Sequence, residues 1–386
     1  MKNDVFSRSA NRRSFLKGGT VAASAAALTA GLPGRVLAFD PDEDDRSQPT
    51  KGDIAILRFL AAAEIIEADL WTQYAELGGI GSNPPIELDP NEALNNYQSA
   101  LSNLDGDGPQ YITSNTLDEV SHGNFLNAYL ASKGAEQVSL EAFRTLPGST
   151  APGTSGKLRI TNLMNLNVDT SWFVRYRSTT NPDRGATFPQ AITLNNVTAI
   201  PRNAADLAGT PDPQFPIAVP DHIQAIANVA AFHFGAIEEG GTSLYATLSQ
   251  KVTSAEVLKI TLSIGGDEIA HFLEWVDFSG NGVQGPVAPF TDSLSGLTFP
   301  NFFTNPPVQN TLSLTQPSLI FPVPCEFLNK DLPDVAIIRP TSDKNGGAVA
   351  AANGFINSGL FIGQTPKFFK TLLQLAEEAD AAQRGF

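Results

Sequence analysis

The chain has 386 residues, 42% hydrophobic and 17% charged, which is enough apolar material for a sizeable core and far from a disordered composition. Its 40 acidic against 25 basic residues give a net charge of −15; such a surface repels phosphate backbones and anionic lipid and sets nucleic acid aside as a partner. The single cysteine, Cys325, excludes an internal disulfide and a cysteine-based zinc or iron–sulfur site, and with only His122, His222, His233 and His271 available any metal site must be carboxylate-rich.

Residues 1–38 read as an address. Arg12 and Arg13 precede Ser-Phe-Leu-Lys, a weakly apolar run of about 15 residues follows, and Val36-Leu37-Ala38 offers small residues for cleavage. The run is too short to span a bilayer, and the paired arginines resemble a twin-arginine (Tat) signal, which is read by the Tat export machinery. Cleavage after Ala38 removes six basic residues and Asp4, leaving a net charge of −20 and an extracytoplasmic product in the periplasm or cell exterior. No later segment has 18 consecutive apolar residues, so no integral membrane segment is expected in the mature chain.

Residues 39–52 are acidic and polar and read as a disordered lead-in. A helical stripe then runs from Asp53 to Leu77 (Leu57, Leu60, Ala61, Ala68, Trp71, Ala75) and stops at Gly78-Gly79. Residues 80–108 read as a long loop with a short helix near Glu92–Leu101, and a second long helix spans Pro109–Ser132. From about 147 to 218, β-branched runs and turn clusters such as Asn181-Pro182-Asp183 mark a strand-containing insertion.

A third long helix, with Asp221 as its cap, runs to about Gln250. Thr253 and Glu256 then fit a capping box for a fourth that ends near Phe278. Residues 280–340 are rich in Pro and Phe and irregular, and a last helix spans about Pro366–Gln383.

Chemistry concentrates in two Glu-x-x-His pairs, Glu119/His122 and Glu268/His271, on the second and fourth long helices. Positions i and i+3 share a helical face, so each pair aims two ligands at one centre. The first and third helices each add a glutamate to the same stripe, Glu64 seven residues before Trp71 and Glu238 seven before Tyr245. This shared spacing is a weak internal repeat. Two inward glutamates plus two Glu-x-x-His pairs is the ligand set of ferritin-like di-iron and di-manganese proteins. Oxygen ligands with one imidazole per metal favour two Fe or two Mn ions.

Glu238 lies 12 residues before Gln250 and Glu268 lies 14 after Ser254. These arms are about 18 and 21 Å long, so the glutamates stand level across an antiparallel hairpin. Glu67 competes with Glu64 as the ligand, since both can face inward at i and i+3. Asp118 and Asp267, each preceding a ligand glutamate, read as helix-surface charges, with a bond to a ligand histidine as the alternative. His233 reads as a packed core histidine, His222 as a surface residue at a helix start, and Cys325 as a small buried residue.

The segments AAAEIIEADLW, LDEVSHGNFLNAYL, FHFGAIEEGGTSLY and GGDEIAHFLEW, with the insertion NVDTSWFVRYRSTTNPDRGATFPQAI, resemble the ferritin-like domain family of the desiccation-related proteins. The resemblance spans roughly residues 53–280 and implies an antiparallel four-helix bundle with a strand-containing insertion between helices two and three. Residues 281–386 form an irregular extension with a C-terminal helix. It implies one metal at Glu64, Glu119 and His122 and a second at Glu238, Glu268 and His271, bridged by Glu119 and Glu268. Trp71 stands where related four-helix oxidases commonly carry a tyrosine, which speaks against a tyrosine role there. A small oxidant such as dioxygen or peroxide, a role in oxidative or desiccation stress, and an oligomeric assembly are compatible with it. A non-catalytic protective scaffold is the competing reading.

Overall fold

The computed structural model describes residues 48–80, 94–170, 192–282, 289–300, 329, 331–333 and 346–385. Residues 1–38, read above as an export signal, most of the acidic lead-in, and Cys325 lie outside the described residues. The described chain is mainly helical, with seven α-helices and four short strands: α1 (Lys51–Gly78), α2 (Asn96–Ser102), α3 (Gly108–Ser132), β1 (Leu166–Asp169), β2 (Thr193–Val197), α4 (Asp221–Ser249), α5 (Ala255–Gly282), β3 (Phe290–Thr291), β4 (Thr298–Phe299), α6 (Ala348–Asn357) and α7 (Pro366–Asp380).

The four long helices associate in two pairs, α1 with α3 and α4 with α5, and the pairs meet through α3 and α5. The start of α1 is fixed by Thr50, whose hydroxyl accepts from the Asp53 amide while the Asp53 carboxylate accepts from the Thr50 amide. At its end the chain packs closely on α2: a Cβ at Gly78 would stand 2.6 Å from the Leu101 side chain and 3.0 Å from that of Tyr97. Between the pairs the core is aromatic. Trp71 of α1 stacks on Phe234 of α4 (5.0 Å between centroids) and on Trp275 of α5 (5.2 Å), all fully buried.

The insertion contains strands, and they are short. β1 and β2 pair antiparallel through Leu166–Val197 and Asp169–Thr193, with a bulge in β2 where Asn195 and Asn196 oppose Asn167, whose side chain accepts from the Asn196 amide. Asn196 takes the left-handed φ of 54° that the bulge requires. The C-terminal extension is less irregular than its composition suggests: β3 pairs with β4, and α6, an unexpected helix, packs against α4 and α7. α7 in turn covers α1.

Two expected caps are overturned. α5 begins at Ala255, and the Thr253 amide is taken by Asp53 of α1 (2.8 Å) while the Glu256 carboxylate binds Lys133 Nζ (2.6 Å) and the Tyr129 hydroxyl (2.8 Å). The buried Asp53 carboxylate outcompetes a more exposed glutamate for that amide. α4 starts with Asp221 as its first residue and Pro220 at the cap, without a side-chain capping bond. No helix among the described residues is long and apolar enough to cross a membrane.

Candidate metal centre

The two helix pairs bring Glu64 (α1), Glu119 and His122 (α3), Glu238 (α4), and Glu268 and His271 (α5) into one buried cluster. Glu119, Glu238 and Glu268 are 0% exposed, and the most exposed member, His122, reaches only 8%. Each histidine turns Nδ1 inward. His122 Nδ1 lies 3.3 Å from Glu64, 3.5 Å from Glu119 and 3.9 Å from Glu268. His271 Nδ1 lies 3.1 Å from Glu119 and 3.5 Å from Glu238.

Two groups of donor atoms at metal-binding spacing result, Glu64–Glu119–His122–Glu268 and Glu119–Glu238–His271. Glu119 belongs to both. Glu268 falls with the first group. Asp118, Asp267 and His271 form a third such group on the partly exposed side.

The donor atoms are short of partners. Glu64 Oε2, both oxygens of Glu119 and of Glu268, Glu238 Oε2 and the Nδ1 atoms of His122 and His271 are buried and make no hydrogen bond among the described residues. Their contacts are the His–Glu approaches given above; a buried polar atom without a hydrogen bond costs about 1–3 kcal/mol, and proteins avoid such clusters unless something occupies the space. A cation in the centre satisfies them all at once, and the O/N donor set suits a hard or borderline divalent metal.

The electrostatics say the same. Burial and the neighbouring Glu64 charge push Glu119 up to about 8. Glu268 is driven well above the usual carboxylate range by burial and by Glu119. Burial opposes protonation of His122, yet the Glu119 and Glu64 carboxylates hold it up at about 10. Glu64 moves the other way: burial raises it, but His122, Glu119 and the Tyr245 hydroxyl outweigh that. In the metal-free protein, protons occupy charge positions that metal cations would take over.

Around the cluster the two pairs exchange support crosswise. His122 Nε2 pairs with Asp267 of α5 at 3.1 Å, and His271 Nε2 pairs with Asp118 of α3 at 3.3 Å. Each aspartate thereby fixes the ring that points its other nitrogen inward. Trp71 Nε1 donates to Glu238 Oε1 at 3.1 Å, and the Tyr245 hydroxyl donates to Glu64 Oε1. The aromatic seven residues after each glutamate therefore holds the glutamate of the other pair.

Reading Asp118 and Asp267 as surface charges is thus incomplete, and Trp71 takes a hydrogen-bonding role that its place on the helical stripe does not announce. Only the aspartate preceding each Glu-x-x-His signals such partners in the sequence.

The remaining candidates separate cleanly. Glu67 is buried but belongs to none of the donor groups. His233 is a core histidine, 2.6 Å from the Tyr74 hydroxyl, with burial pulling it down to about 3. His222, at the start of α4 as expected, is half-buried rather than free on the surface; it is held between Asp292 at 2.8 Å and Asp206 at 3.3 Å, tying α4 to the β3–β4 hairpin and to the insertion. Compared with known proteins, the chain matches no family model, and no curated protein or solved structure shows significant similarity to it.

Proposed function

We propose that this chain is an exported ferritin-like protein of the desiccation-related type. Its four long helices form an antiparallel bundle around a carboxylate-bridged di-iron or di-manganese centre, and it reacts with dioxygen or peroxide in oxidative or desiccation stress defence. The observation that carries the reading is the set of eight buried carboxylate and imidazole atoms without hydrogen bonds, contributed by all four long helices. The arginine-pair leader in residues 1–38 supports export through the Tat machinery.

On this reading Glu64, Glu119, His122, Glu238, Glu268 and His271 hold the metals. Asp118 and Asp267 orient the imidazoles, and Trp71 and Tyr245 fix the terminal glutamates. Bound iron or manganese supplies the redox change by which an oxygen species is reduced or dismutated. Trp71, Phe234 and Trp275 pack a dry wall beside Glu238, which strengthens every charge interaction in the cluster.

Elemental analysis of mature protein, exported by a Tat-competent host and purified without chelator, tests the proposal. Near two equivalents of iron or manganese per chain support it, and the metal found selects between ferroxidase-like and catalase-like assays. A folded protein free of transition metal that takes up neither Fe(II) nor Mn(II) overturns it and leaves a protective scaffold.

A further inference from the structure

A cleft of about 730 Å³ lies between α4, β1 and α6. Its outer walls come from the insertion (Asn167 and Asp169) and from the C-terminal extension (Ala351 and its neighbours), and its inner end reaches α1 at Glu67. Two lining residues are also part of the wall of the carboxylate–histidine cluster. At Gly241 a Cβ would stand 2.0 Å from Glu268 Oε2, so the glycine that lines the cleft also lies against that carboxylate. Glu67 lies one helical turn beyond Glu64, is only 3% exposed, and lines the cleft. A buried carboxyl in that position is a hydrogen-bond partner for whatever enters.

The charge of the walls narrows what can enter. Glu67, Asp169 and Glu239 line the cleft, and no lysine or arginine among the described residues does. His233, also on the wall, is neutral and bonded to Tyr74. Among the described residues, such walls offer an entering anion no lysine or arginine to pair with. Apolar groups such as Val168, Ile237 and Leu244 provide the rest of the surface.

We infer that this cleft is the route by which a small uncharged oxygen species, of the hydrogen peroxide or dioxygen class, reaches the carboxylate–histidine cluster, passing Gly241 and met by Glu67 at the inner end. The inference rests on the metal reading above. It also accounts for the insertion and the C-terminal extension, which together build the mouth of a site whose ligands neither of them supplies.

Plugging the cleft tests this. A Cβ at Gly240, on the cleft wall, meets no heavy atom within 4 Å, so Gly240→Leu adds bulk at the cleft from a position with open space. Ala351→Leu narrows it independently from the facing helix and serves if the first variant fails to fold. The readout is the association rate of nitric oxide, a neutral diatomic probe, with anaerobic Fe(II)-loaded protein, followed by stopped-flow absorbance alongside iron content.

The expected result is unchanged iron content with association slowed by about tenfold or more. Normal iron content with an unchanged rate in both variants overturns the inference and leaves the metal reading standing. Slowed Fe(II) uptake with unchanged nitric oxide association makes the cleft a cation route and overturns it as well. Wild-type protein that takes up no iron overturns the metal reading, and the inference with it.

Discussion

The α1–α3 and α4–α5 pairs are alike where they face each other and unlike where they face the cleft. Counted from Glu64 and Glu238, both place an aromatic at +7, Trp71 and Tyr245, and each aromatic hydrogen-bonds the other pair's glutamate. Both carry an Asp-Glu-x-x-His run, and each aspartate holds the other pair's histidine. At +3 the likeness ends: α1 has Glu67 and α4 has Gly241, and both of these line the cleft. At −5 α4 has His233 where α1 has Phe59, and there only the α4 residue lines the cleft. The two halves match where both contribute to the carboxylate–histidine cluster and diverge where they line the cleft.

The largest test of that matching removes one ligand pair at a time. Because Glu119 faces both histidines, Glu119→Ala with His122→Ala and Glu268→Ala with His271→Ala are each expected to abolish most metal binding, as read by elemental analysis. Retention of one full equivalent in either variant would break the picture of a shared centre.

His233 tests a residue that α1 lacks. Its value in the folded protein, about 3, lies below the ordinary 6.5, so between these limits the unfolded chain binds a proton that the folded chain refuses. The stability it contributes is present above about 6.5 and is lost as pH falls toward 3, at up to about 1.4 kcal/mol per pH unit. Urea unfolding of metal-free His233→Gln across this window is expected to show a slope reduced by about one proton.

A smaller effect compares the two aromatics. Trp71→Phe and Tyr245→Phe each leave a buried carboxylate oxygen without its donor, an expected loss of about 1–3 kcal/mol in urea unfolding of the metal-free protein. Losses differing beyond that range would show that the two sides are geometrically but not energetically equivalent.

The finest test uses adjacent glycines. Gly241→Ala forces the Glu268 carboxylate aside, so metal affinity is expected to fall by on the order of tenfold with little change in metal-free stability. Gly240→Ala meets nothing and is expected to stabilise α4 by up to about 1 kcal/mol in thermal unfolding.

The six clustered residues are legible in the sequence because the Glu-x-x-His spacing and the apolar stripe both fix direction on a helix, and direction is what a ligand needs. The Asp118 and Asp267 contacts are legible only as the alternative to surface charge: a residue one position before a cluster residue points about 100° away, and what it meets there depends on the neighbouring helix pair. Helix α6 gives no sequence signal because AVAAANGFIN has small residues on every face and a glycine near its end, so no stripe stands out. Its helical state comes from packing on α4 and α7. Spacing alone leaves the choice between Glu64 and Glu67 open. Tertiary contact separates them, placing Glu64 among the donors and Glu67 on the cleft.

Asp53 carries a consequence for how the chain reaches this state. Its carboxylate accepts from the Thr50 amide at the head of α1 and from the Thr253 and Ser254 amides at the head of α5, two hundred residues downstream. Synthesis delivers the first helix long before the last partner of its carboxylate exists. The stitch can therefore close only after α5 has emerged and docked, which makes it a late, long-range event in folding. Its loss is expected to appear in the unfolding rate far more than in the folding rate.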